Sequence, residues 1–127
     1  MKLITIIIFL LICFNLPLKV NSSNDIKKAF NGNGKLIFIR HAYAPGGGDP
    51  DNFDISNCTT QRNLNTKGIE QSINIGKFFL KNDIVIGKVL SSEWCRCKKT
   101  AEYAFKNYET KSFLNSFFSK KFSHNKD

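Results

Sequence analysis

An α/β fold built on a parallel sheet is what this 127-residue sequence predicts. Three observations lead there. Leu36-Ile37-Phe38-Ile39 is a short, continuous apolar run that ends abruptly in Arg40-His41, and Ala44-Pro45-Gly46-Gly47-Gly48-Asp49-Pro50 follows within a few residues. An apolar run of this length, bounded by turn residues, reads as a strand buried on both faces. Two stretches of helical periodicity come after it, separated by a second β-branched segment. The resulting order of strand, helix, strand, helix argues for parallel strands joined by right-handed crossovers. In open sheets of that kind the ligand crevice lies at the carboxyl ends of the strands, which is where Arg40 and His41 fall.

The elements can be justified in chain order. Residues 1–22 have the layout of a secretory signal peptide. Lys2 supplies the positive start, residues 3–16 an apolar stretch interrupted by Thr5 and Asn15, and Val20-Asn21-Ser22 a small-residue exit, with cleavage after Ser22. The apolar core falls short of the roughly 20 residues of a comfortable bilayer span. No stable membrane span is therefore expected, and a periplasmic or secreted location is; an uncleaved anchor is the alternative. Residues 23–34 are polar and form a linker or short helix over 25–30, closed by the turn Asn31-Gly32-Asn33-Gly34. The first strand follows over 35–40.

Residues 42–65 show no sustained period of 2 or 3.6. A loop that long in a compact domain is usually functional or disordered, and its place directly after His41 favours function. Thr66 offers an N-cap, and Ile69, Ile73, Gly76, Phe79 and Leu80 recur at helical spacing, so a helix is predicted over 67–81, closed by Asn82-Asp83. Residues 84–86 lead into a second strand over 88–91. Ser91-Ser92 ends that strand and can cap a second helix over 93–106, whose apolar stripe is Cys97, Ala101, Ala104 and Phe105. Residues 113–122 are aromatic with little pattern, and 123–127 form a polar tail. A parallel sheet of two strands is an unusual complete domain, so the fold is expected to be incomplete at the C-terminal end.

Composition narrows the function classes. The formal net charge of +9 falls to +7 once Lys2 and Lys19 are removed with the leader. A basic surface suits anionic ligands, or simply keeps the chain soluble. Cys58, Cys95 and Cys97 remain in the mature chain. An oxidising compartment permits a disulfide. Cys95 and Cys97 are two apart on a helix and point in different directions, which leaves Cys58 with one of them and an odd thiol. No fourth ligand stands at a zinc spacing, so no metal and no cofactor are expected.

The chemistry centres on Arg40, His41 and Arg96. Arg96 lies in the first turn of the helix that follows the second strand, and adjacent parallel strands open on one edge. The three side chains can then converge near the free N–H groups of a helix start. Two guanidiniums around one imidazole call for an anion between them, and phosphate suits arginine's bidentate fork. The same charges disfavour the imidazolium and keep the ring neutral and nucleophilic.

In these blocks the chain resembles the N-terminal half of the histidine phosphatase superfamily, the phosphoglycerate-mutase-like group. The matching stretches are Phe38-Ile39-Arg40-His41-Ala42, Arg62-Asn63-Leu64-Asn65-Thr66-Lys67-Gly68, and Ser91-Ser92-Glu93-Trp94-Cys95-Arg96-Cys97-Lys98-Lys99-Thr100-Ala101. The resemblance implies a three-layer, parallel-sheet fold, C-terminally incomplete, with residues 35–122 as a partial phosphatase domain. It implies that His41 is a nucleophile that accepts the phosphoryl group, that Arg40 and Arg96 hold the phosphate, and that Arg62 belongs to the substrate loop, binding phosphate or serving structure there. Its partner would be a phosphorylated small molecule or phosphoprotein. Two departures stand out. Ala42 replaces the family's glycine. Of the two histidines, His124 has no strand before it and no glycine after it, so the family's second histidine has no counterpart, and Glu93, Glu102 and Glu109 match no donor motif.

Three functions are compatible with these residues. The first is a phosphatase acting on phosphomonoesters or phosphohistidine. The second is a non-catalytic, phosphate-binding remnant of such an enzyme. The third is a basic secreted module binding nucleic acid or other anionic surfaces through Lys98-Lys99 and Lys120-Lys121. No specific nucleic-acid motif supports the third, and the lysines are scattered rather than arrayed.

Overall fold

The computed structural model describes residues 22–30, 32 and 34–116. The rest of the expected leader, the aromatic residues from 117 onward and the polar tail with His124 lie outside the described residues.

Three helices carry most of the structure: α1 over Ser22–Phe30, α2 over Thr66–Lys81 and α3 over Cys95–Phe105. α1 starts three residues before the helix expected at Asp25. The start of α2 differs by one residue from expectation, because Asn65 rather than Thr66 is the N-cap. Its side-chain oxygen accepts the N–H of Gly68 at 3.0 Å. Asparagine is the stronger cap, and taking it places Thr66 inside the first turn. The helix closes as expected. Asn82 is the C-cap, Asp83 turns left-handed at φ 51°, and the N–H of Ile84 returns to the carbonyl of Phe79 at 3.0 Å. That is a Schellman closure with aspartate in the position glycine usually takes.

The sheet differs from the expected one. β1 is Leu90–Ser91, the end of the second predicted strand, and it pairs in parallel with β2, Glu109–Thr110. Leu90 stands opposite Glu109 and Ser91 opposite Thr110. The ladder is closed by Glu109 N–H to Val89 O at 3.0 Å and Lys111 N–H to Ser91 O at 2.8 Å. The βαβ unit is therefore β1–α3–β2, and β2 was not anticipated: its two residues are too few to show a period.

The segment read as a buried first strand, residues 35–40, is not part of a sheet among the described residues. Leu36 is 84% and Phe38 86% exposed. Its apolar character is that of a strand, but no neighbour among the described residues supplies a ladder, and the face bearing Leu36 and Phe38 is left uncovered. The chain is caught instead at Ala42, whose N–H donates to the Thr100 hydroxyl of α3 at 2.9 Å, while that hydroxyl donates to the carbonyl of Arg96 at 2.7 Å.

The core lies between α2 and α3. Phe79 is buried against Phe105, with ring centroids 5.2 Å apart and edge to face, and against Phe30 of α1 at 6.5 Å. Two glycines allow this approach. A Cβ on Gly76 would stand 2.2 Å from the carbonyl oxygen of Ala104, and one on Gly68 2.0 Å from that of Tyr43. Gly76 thus sets the distance between the helices, and Gly68 lets the loop after His41 pass over α2. No helix among the described residues is long and apolar enough to cross a membrane.

Gly76→Ala separates two opposed effects. Helix propensity alone favours alanine by about 1 kcal/mol, whereas overpacking against backbone costs about 1–3 kcal/mol. The expected outcome is a net loss of stability, seen as a lower urea midpoint; a raised midpoint would mean the helices do not approach this closely.

Candidate active site

The loop between residue 42 and α2 folds back on the first turn of α3 and is tied there several times. A disulfide joins Cys58 to Cys95 across 37 residues. This is one of the two pairings the sequence leaves open, and Cys97 is the free thiol. Gln61 is buried and acts as a remote cap. Its side-chain oxygen accepts the N–H of Cys95 at 2.9 Å, and its amide donates to the carbonyls of Asp54 and Ile55. That cap corrects two expectations: Ser91 and Ser92 do not cap the helix, and the N–H of Cys95 is not free. Trp94 is the N-cap residue and gives no side-chain bond to the helix. It is buried, with Phe53 of the loop 4.9 Å away, centroid to centroid.

These ties enclose a cavity of about 400 Å³. Arg40, His41, Arg62 and Arg96 all line it, together with Asp49 and Cys97. Each sequence-predicted site residue is therefore brought to one hollow, from three elements: the end of the apolar segment, the loop and the first turn of α3. Arg96 is the most constrained. Its guanidinium carbon lies 4.6 Å from the centre of the Trp94 ring. Its Nη1 donates to both carboxylate oxygens of Asp49, at 2.9 and 3.0 Å, with the side chains only 7% and 2% exposed. Its Nε is buried without a partner. Arg62 has the structural role foreseen for it as one of two alternatives. Its Nη1 staples the loop by donating to the carbonyls of Ala44 and Gly46, its backbone N–H donates to Asp49, and its Nε is buried without a partner. Arg40 is exposed.

His41 is half-buried, and its Nδ1 lies 2.8 Å from the carbonyl oxygen of Ala42. A carbonyl can only accept, so Nδ1 carries the proton and the neutral ring presents its lone pair on Nε2. Burial holds the imidazole pKa below its ordinary value of 6.5; the bond to Ala42 opposes this, and the charges of Arg96, Arg62 and Arg40 add to the lowering. Cys97 also lines the cavity, with the serines Ser92 and Ser116. Burial pushes its thiol above the ordinary range, so it is protonated at neutral pH and the histidine is the better nucleophile. Ala42 is itself buried, beside the Thr100 hydroxyl that takes its N–H.

Sequence reasoning missed Asp49, Gln61 and Trp94. Asp49 stands in a string of turn residues and reads locally as a turn former. Its partner is 47 positions away, and no local pattern marks such a pair. Trp94, the lone tryptophan, next to Arg96 was the one available signal, since arginine stacks on such rings. No family model matches the chain, and neither a curated protein nor a solved structure is similar to it.

The lowered pKa has a testable sign. A histidine depressed in the folded state stays neutral as pH falls through 6.5, and stability is lost with falling pH because the unfolded chain takes up the proton first. An NMR titration of the His41 ring should show a midpoint below 6.5 that moves upward in Arg40→Ala, where one cation is removed without disturbing buried contacts. A midpoint above 6.5 would exclude a desolvated ring among arginines.

Proposed function

We propose that the chain is a phosphatase of the histidine phosphatase type, hydrolysing phosphomonoesters or phosphohistidine through a phosphohistidine intermediate on His41. The observation that carries this reading is the convergence of a neutral imidazole and three guanidiniums, two of them with buried unpartnered Nε atoms, on one hollow. Unsatisfied buried donors are costly, and a phosphate group would satisfy them while its charge offsets theirs. The resemblance of the three sequence blocks to that superfamily supports the same chemistry, with His41, Arg40, Arg96 and Arg62 in the corresponding positions.

In the first step Nε2 of His41 attacks phosphorus, the P–N bond forms, and the P–O ester bond breaks. The leaving oxygen takes a proton from water. Nδ1–H stays on the Ala42 carbonyl and holds the ring in the correct tautomer. In the second step water attacks phosphorus, the P–N bond breaks, and inorganic phosphate leaves with the imidazole restored. The arginines act by positioning and by stabilising charge on the non-bridging oxygens, which is most of what phosphoryl transfer asks of a protein. A phosphorylated small molecule or phosphoprotein is the partner, met in the periplasm or outside the cell if the leader directs export. No cofactor takes part.

The exposure of Leu36 and Phe38 favours a second reading: a phosphate-binding remnant of a larger three-layer domain, without turnover. The two readings separate on p-nitrophenyl phosphate. For the phosphatase, His41→Ala lowers kcat by at least ~10³-fold and Arg40→Ala by about 10²-fold, while orthovanadate inhibits competitively. For the remnant, vanadate binds but wild type and His41→Ala release p-nitrophenol equally slowly. Binding to a polyanion that survives His41→Ala and Arg96→Ala and weakens with salt would point to the basic module instead.

A further inference from the structure

We propose that Asp49 is a positioning residue that aims the anion-binding edge of Arg96, an inference that rests on the phosphatase reading of the cavity. A guanidinium offers an anion a fork of two N–H groups, and its value depends on which way the fork faces. Two contacts fix that direction for Arg96. Trp94 holds the group over its ring face, with the guanidinium carbon 4.6 Å from the ring centre. Asp49 sets the rotation of the group there by taking Nη1 on both of its oxygens. What remains is the edge carrying Nε, which is buried and has no protein acceptor, on a side chain that lines the cavity with His41.

The geometry distinguishes this role from that of a carboxylate standing in for phosphate. A stand-in would occupy a two-nitrogen fork and sit in the open mouth. Asp49 places both oxygens on one nitrogen, its side chain is 2% exposed, and a third bond comes from the backbone N–H of Arg62 at 2.8 Å. Arg62 is itself fastened to Ala44 and Gly46. The carboxylate is thus built into the wall and leaves the fork clear.

Charge and orientation predict opposite signs, which makes the role measurable. Removing a negative charge beside an anion site strengthens anion binding if charge is all that matters. Loss of aim weakens it. The experiment compares wild type with Asp49→Asn and Asp49→Ala, measuring orthovanadate binding by calorimetry and kcat and KM for p-nitrophenyl phosphate, at a temperature where circular dichroism shows each variant folded. Asp49→Asn keeps the shape of the side chain, so the comparison survives if Asp49→Ala does not fold. The expected result is vanadate binding weakened about tenfold and kcat reduced by more than KM is raised, despite the gain in net positive charge. Unchanged or tighter vanadate binding by Asp49→Asn, with wild type binding normally, overturns the positioning role alone. A wild-type protein that binds no vanadate overturns the phosphatase reading, and this inference with it.

Discussion

The buried ion pair between Arg96 and Asp49 is the constraint around which the rest of the site is arranged. It joins the first turn of α3 to a long loop whose regular structure amounts to a 3-10 turn at Cys58–Thr60 and one isolated bridge, and it does so where both side chains are almost wholly shielded from water. Such a pair adds little net stability, because desolvating two charges offsets most of their attraction, but losing one partner strands the other at a cost of about 3–5 kcal/mol. The loop conformation that satisfies Asp49 also delivers Arg62, Gly47 and Gly48 to the cavity wall.

Around this pair, each tie removes a different freedom. The Cys58–Cys95 disulfide limits how far the loop can depart from the helix. Gln61 satisfies a helix-start N–H that would otherwise compete for a ligand. Thr100 receives Ala42 and thereby places His41 one residue before the anchor, with its Nδ1 on the Ala42 carbonyl. The candidate residues His41 and Arg96 are thus held by neighbours in the same sequence blocks: Thr100 lies four after Arg96, and Ala42 one after His41. The block spacings, seen in three dimensions, are the spacings of these hydrogen bonds.

Electrostatics gives the cavity its cationic character. Three guanidiniums and one carboxylate leave an excess of positive charge, and the imidazole avoids adding to it by staying neutral. The half-buried thiol of Cys97 also stays neutral, for the same reason, since burial disfavours its charged form too. Under the phosphatase proposal, an anion entering the hollow meets an excess of guanidinium charge and a neutral imidazole. That combination suits a tetrahedral oxyanion that must be both held and attacked.

Helices α2 and α3, the turn at Asn82-Asp83 and the candidacy of Arg40, His41 and Arg96 were legible in the sequence because each rests on local periodicity, on capping chemistry or on spacing within a few residues. The three blocks and their order carried the likeness to a phosphatase half-domain for the same reason. What only the tertiary structure decided are the contacts between distant positions: Asp49 with Arg96, Cys58 with Cys95 rather than Cys97, Gly76 against Ala104, and the pairing of β1 with β2 while residues 36–39 lie open. A strand shows its apolar character in its own residues, but its burial depends on a neighbour, and a carboxylate in a turn shows nothing of the guanidinium it will meet. Those partners are chosen by how the chain closes on itself, where small volumes and single charges far apart in sequence select one arrangement.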